Sequence, residues 1–335
     1  MKNLCFLFTI FFINNSFSQV FQPVGSNVNT SFRGMSVVDN KIAWISGNNG
    51  YIGITTNGGT KWEYIKIPGF EELDFRTVYA FDDKKAIVAS AGSPAYIFVT
   101  EDGGNTWLNV FKDERKEVFI DGITFFSDKE GIIFGDPLDG KMFLLRTTDG
   151  GKEWAEAPES QRPVMMEGEA AFAASGTSIR SINKKLIIAS GGSVSRLFVS
   201  KDKGYNWKVF STPIIQGKNS TGIFSFDFIN ENTIVIVGGD YTIDTLKVDN
   251  VFITKNGGSS WQKPETSTAG YRSCVEYINN KTLIATGTSG TDISRDGGNN
   301  WETLSSEGFH IVRQARKGNL VILAGTNGKI AIYLN

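Results

Sequence analysis

Apolar residues fall along this chain in short runs, and each run is broken by Gly, Asn or Asp. KIAWISG, YIGITT and KWEYIKI, all within residues 41–67, show the pattern, rich in β-branched and aromatic side chains with a turn signal between each run and the next. Runs this short, rich in β-branched and aromatic residues and bounded by turn residues, predict strands. No stretch of useful length carries the spacing of an amphipathic helix, so the expectation is an all-β chain.

An eight-residue box punctuates the strands. It reads TTNGGTKW at residues 55–62, TEDGGNTW at 100–107, TTDGGKEW at 147–154, SKDKGYNW at 200–207, TKNGGSSW at 254–261 and SRDGGNNW at 294–301. Trp62, Trp107, Trp154, Trp207, Trp261 and Trp301 each close one box, 45, 47, 53, 54 and 40 residues apart. Spacing of this kind marks a repeat architecture. Within the box, Ser or Thr ends a strand and the side chain of Asn57, Asp102, Asp149, Asp202, Asn256 or Asp296 accepts hydrogen bonds from turn N–H groups. Gly takes the positive φ that the turn demands, and Trp anchors the next strand.

The box resembles the Asp-box, or BNR, repeat of sialidases and of the Ycf48 family of photosystem II assembly factors. The unit SFRGMSVVDNKIAWISGNNGYIGITTNGGTKW, residues 31–62, is similar to the Ycf48 repeat over its whole length. That resemblance implies a seven-bladed propeller, exported, that binds partner proteins through an arginine-bearing surface while its boxes serve as structural turns. The resemblance to sialidases is fainter. It rests on the boxes and on SFRGMSV, and sialidases are six-bladed.

Taken in order, six units of four strands each carry a box. A seventh, GFHIVRQA, NLVILAG and KIAIYLN, has three strands and no box. VFQPVG at residues 20–25 fits the missing fourth position, with Phe21 where other units have Trp. The architecture expected is a seven-bladed β-propeller of four-stranded blades in one domain, residues 19–335. The N-terminal strand closes it by pairing into the C-terminal blade, which leaves no open sheet edge. Six blades plus a tail is the alternative.

Residues 1–18 read as a secretory signal, with Lys2, an apolar run over residues 4–13 and a small-x-small site ending at Ser18. The mature chain is then periplasmic or extracellular, without a transmembrane segment, and monomeric. Cys274 becomes its only cysteine and cannot form an internal disulfide. With one His, and without a GxGxxG, CxxC or haem motif, neither a metal site nor a cofactor is expected. A net charge of −1 argues against nucleic acid as a partner.

Strand direction sorts the remaining candidates. The first strand of each unit starts on one face of the ring, and the boxes fall on the other. Arg33, Arg76, Asp121, Thr177, Phe224 with Ser225, Arg272 and His310 occupy the equivalent starting positions around the channel mouth. Glu169, Tyr271, Asp240 and Tyr241 join them from loops on the same face. Two readings stand: a ring that binds a ligand, or one that lines the channel with ion pairs. Arg33, Arg76 and Arg272 would hold an anionic group, because a guanidinium presents a planar fork to carboxylate or phosphate. The group would belong to a partner protein, an acidic glycan or another anionic small molecule. An enzymatic version has Asp121, Glu169 and His310 as acid and base in a glycoside hydrolase or lyase.

Overall fold

The computed structural model describes residues 20–334, so the expected signal segment lies outside the described residues. Seven antiparallel sheets follow one another around a ring. Their innermost strands are Phe32–Val37, Asp74–Ala80, Ile120–Phe125, Ile179–Ile182, Thr221–Phe228, Cys274–Tyr277 and Ile311–Gln314. Blades one to seven are numbered from these strands.

The apolar runs of the sequence are the strands that pack between blades. Inner strands such as Ile120–Phe125 and Cys274–Tyr277 are wholly buried, whereas outermost strands such as Leu108–Asp113 face water. Between blades one and two the core is built of Trp44, Ile52, Phe75, Val78, Val88 and Phe98. Comparable clusters fill the other gaps between blades. Removing such side chains from water, at about 1.5–3 kcal/mol each, is what holds the sheets together.

Phe21–Val24 pairs antiparallel with Ile330–Tyr333, in register Phe21 to Tyr333, so blade seven takes its fourth strand from the N-terminal segment. The ring therefore closes as the repeat count predicts. Blade five departs from the common plan. Its outermost strand is reduced to a single bridge between Ile253 and Gln262. At the opposite side its inner strand pairs with the short strand Gly191–Gly192, which in turn pairs with Glu169–Ala170, both from blade four's turn and approach.

All six boxes form one hydrogen-bonded turn. In the second, Thr100 Oγ1 donates to Asp102 Oδ1 at 2.9 Å and accepts from Gly104 N at 2.9 Å, while Asp102 Oδ1 accepts from Thr106 N at 2.9 Å. A backbone N–H of each box also donates to the carbonyl of the blade's first hairpin turn, as Gly103 does to Lys84 and Gly297 to Lys281. This contact sets the boxes beside the first turns of the blades, on what is here termed the lower face. The strand starts open on the upper face.

Candidate functional site at the upper channel mouth

In blades one, two, three and five the innermost strand carries a bulge near its start. The register shifts between Phe32 and Gly34, Phe75 and Thr77, Ile120 and Gly122, and Ile223 and Ser225. The residues skipped are Arg33, Arg76, Asp121 and Phe224. A bulge re-aims a side chain that the ladder would otherwise send into a sheet face. Three of the four, Arg33, Arg76 and Phe224, line one cavity, while Asp121 is buried close to Arg76 and Asp136.

Arg33, Arg76, Phe224 and His310 line an upper cavity of about 410 Å³, together with Tyr271 and Tyr241. Asp136, which the sequence places on this face, also lines it, as do Phe119 and Phe172, which were not among the sequence candidates. Phe172 stacks on Phe224 at 3.8 Å between ring centroids, and Tyr271 meets the same ring edge-on at 4.7 Å. Tyr241 is the exposed member of the wall, 6.1 Å from Phe224. The cavity thus combines aromatic rings with two guanidinium groups, Arg76 lying near Phe119 and Arg33 near Tyr271.

The two arginines differ in their partners. Arg76 Nε donates to Asp74 at 2.7 Å, and its guanidinium lies 5.9 Å from the Phe119 ring. Arg33 has no carboxylate partner among the described residues. Its only hydrogen bond there is a long one, 3.4 Å from Nη1 to the Ala174 carbonyl. Burial, and then Arg76, lower its pKa. His310 is buried with Nε2 unpartnered, and burial together with Arg33 and Arg76 pushes its pKa down to about 3. The imidazole is neutral near pH 7 and is no proton switch there.

Asp121 is fully buried, with neither carboxylate oxygen hydrogen-bonded among the described residues. Burial first, and then Asp136, raise its pKa well above the carboxylate range against the pull of Arg76. Burial raises Asp136 as well, although its Oδ1 accepts from Ala171 N at 3.0 Å. These carboxyls therefore do little to neutralise the arginines.

Other candidates stand elsewhere. Arg272 does not reach the cavity: it is fully buried, and Nη2 lies 2.6 Å from Asp292 Oδ2 in an ion pair closed to solvent. Glu169 is held by the Arg196 guanidinium, with Nε at 2.9 Å, by Ser190 Oγ at 2.5 Å and by Met166 N at 2.8 Å. Its oxygens are occupied and buried, so the expected carboxylate pair with Asp121 does not form across the cavity. Asp240 caps its own turn by accepting from Thr242 N and Oγ1, at 3.0 and 2.6 Å. Thr177 lies inside the channel, donating to Ser225 Oγ at 2.7 Å. Cys274 behaves as a small buried hydrophobe whose thiol donates to Val312 O at 3.3 Å.

The channel itself is closed. Residues 171–177, the end of the approach to blade four, turn into it. Ser175 Oγ donates to Ser273 O of blade six at 2.8 Å, and Gly176 lies against Thr77 of blade two at positive φ. Residues 171–174 line the upper cavity, and Ser175 and Gly176 line a separate lower one. The sequence signal was the run of small residues in AAFAASGTS, small enough to enter a channel.

Comparisons with known proteins bear on this ring. A family model described as photosynthesis system II assembly factor YCF48 matches residues 13–118. A structure of YCF48 bound to D1 peptide superposes with a TM-score of 0.68 at 15% identity, covering 95% of this chain and 98% of that one. YCF48 from Cyanidioschyzon merolae superposes with a TM-score of 0.70 at 14% identity, covering 94% and 99%. The chain is a Ycf48-like BNR-repeat propeller. A sortilin (neurotensin receptor 3) model matches residues 142–292 of the Ycf48-like chain. The WD40 propeller domain of Doa1 shares its fold at 10% identity, with a TM-score of 0.62 over 95% of this chain and 96% of that one. No curated protein matches. No helix among the described residues is long and apolar enough to cross a membrane.

Proposed function

We propose that this exported propeller binds an acidic segment of a partner protein at its upper mouth, with Arg33 as the anchor for a carboxylate. The observation that carries the reading is the Arg33 guanidinium, which has no carboxylate partner among the described residues and shares a cavity with Phe119, Phe172, Phe224 and Tyr271. An Arg fork in a partly desolvated setting holds a carboxylate bidentately, and an aromatic wall takes the apolar side chain beside it. Arg76 adds charge without spending its own pair. A related propeller has been solved with a D1 peptide, which favours a peptide over a free glycan as the occupant. The glycan-acting alternative loses support because Glu169 is committed to Arg196.

The test is fluorescence anisotropy with labelled peptides that end in an aromatic residue and a free carboxylate, beside the same peptides amidated. Binding that needs the free carboxylate and weakens at least tenfold in Arg33→Gln supports the reading. Equal affinity for both peptide forms, or an unchanged Arg33→Gln, refutes it. Export is tested separately: N-terminal sequencing of the mature protein should begin at Gln19.

A further inference from the structure

The plug formed by residues 171–177 leaves a second chamber on the lower face, a cavity of about 290 Å³. Its charged residues come from four blades: Arg180 from blade four, Asp227 from blade five, Glu276 from blade six, and Arg313 and Arg316 from blade seven. Three guanidinium groups face two carboxylates.

The carboxylates are already satisfied. Asp227 Oδ1 accepts from Phe228 N at 2.8 Å and lies 3.2 Å from Arg180 Nη1, while Oδ2 accepts from Tyr277 N at 2.7 Å. Glu276 Oε2 accepts from Arg180 Nη2 at 2.7 Å and lies 3.4 Å from Arg313 Nη1, and Oε1 accepts from Gln314 N at 3.0 Å. Both carboxylates are more than nine-tenths buried. Nothing on this side calls for a further cation.

Arg316 is left over. Its guanidinium donates to Ser36 Oγ at 2.8 Å and to the Ala80 carbonyl, and it stacks over the Tyr79 ring at 4.8 Å. These partners come from blades one and two and are all neutral. They fix the fork in place across three blades but, among the described residues, use only two of its five N–H donors. Arg313 stands beside it with a single long carboxylate contact. On the facing wall Arg180 Nε is buried without a hydrogen-bond partner among the described residues. A preset, uncompensated guanidinium beside a chamber of small-molecule size is how proteins recognise oxyanions.

We propose that the lower mouth is a second ligand site, separate from the upper one, that takes a small oxyanion of the carboxylate or phosphate class with Arg316 as its anchor. The plug keeps the two occupants apart, so this site stands or falls independently of peptide binding above.

Isothermal titration of the mature protein with succinate and with inorganic phosphate tests it, the two probes separating carboxylate from phosphate. The expected result is saturable one-to-one binding of at least one probe. That binding should weaken tenfold or more in Arg316→Gln, about threefold or more in Arg313→Gln, and not at all in Arg33→Gln. No binding by the wild type, or equal binding by Arg316→Gln, overturns the proposal. If Arg316→Gln does not fold, Arg316→Lys decides. It keeps the charge and loses the fork, so affinity reduced at least threefold supports the site and wild-type affinity overturns it. Carboxylate-dependent peptide binding above is measured on the same preparations, so failure at one mouth is distinguishable from failure at the other.

Discussion

Arg272 Nη2 and Asp292 Oδ2 meet at 2.6 Å inside blade six, and neither side chain is reached by solvent. Arg272 Nε also donates to the same oxygen at 2.7 Å. Deleting one member of such a pair strands the other charge in the protein interior, which typically costs about 3–5 kcal/mol. Asp292→Ala should therefore destabilise by roughly that amount in urea unfolding. Peptide affinity of the folded fraction should stay at the wild-type level, since Arg272 takes no part in the upper cavity.

His310 sets an acid limit on stability. Its folded pKa of about 3 lies below the ordinary value of 6.5, so between those limits the unfolded chain binds more protons than the folded one. Stability contributed by neutral His310 is then present above pH 6.5 and is lost as pH falls toward 3. Arg33 and Arg76 sharpen the effect by opposing a third positive charge. In His310→Gln the fall in melting temperature from pH 7 to pH 4 should be visibly shallower than in the wild type. Parallel curves for the two proteins would refute this.

The box tryptophans should not be equivalent. Trp301 is buried and donates from Nε1 to Gly298 O at 2.9 Å. Trp261 is less buried and donates instead to Ser211 O at 3.2 Å, in the blade whose outer strand is a single bridge. Trp301→Ala should cost about 3–5 kcal/mol and Trp261→Ala clearly less, as read by chemical unfolding. Trp107, half-buried and edge-on to Trp44 at 6.2 Å, should fall between them.

Gly176 holds the plug at φ 63°, and a Cβ there would stand in ordinary contact with Thr77 Oγ1, 3.5 Å away, so the backbone angle is the constraint. A β-branched side chain resists that backbone conformation. Gly176→Val should lower stability by about 1–2 kcal/mol and raise amide hydrogen exchange across residues 171–177, while the outer strands keep their protection. Unchanged exchange in that segment would show that the plug tolerates the side chain.

The ring and its closure were legible because both depend on local chemistry that repeats: short apolar runs, box turns, and a terminal unit short of one strand. Arg33, Arg76 and Phe224 were legible as mouth residues for the same reason. Arg272 was misplaced because its guanidinium is drawn into blade six by Asp292, 20 positions away, and no bulge re-aims it. Whether a strand carries an extra residue is decided by its partner strand, which the residue pattern along one strand does not record. Glu169 was misplaced because its fate hangs on Arg196, 27 positions away and brought near only by the short strand pair of Glu169–Ala170 with Gly191–Gly192. The aromatic wall went unseen because Phe119 and Phe172 lie on the approaches to the blades, where no period exists to sort inward from outward.

A hollow ring of blades ordinarily offers a conduit from one side to the other. Here seven residues from a single approach segment stopper it, and the molecule becomes two cups set base to base. Whatever rests in one cup touches the same short partition as whatever rests in the other, yet neither can pass through, so traffic across this ring is limited to a shift of the stopper itself.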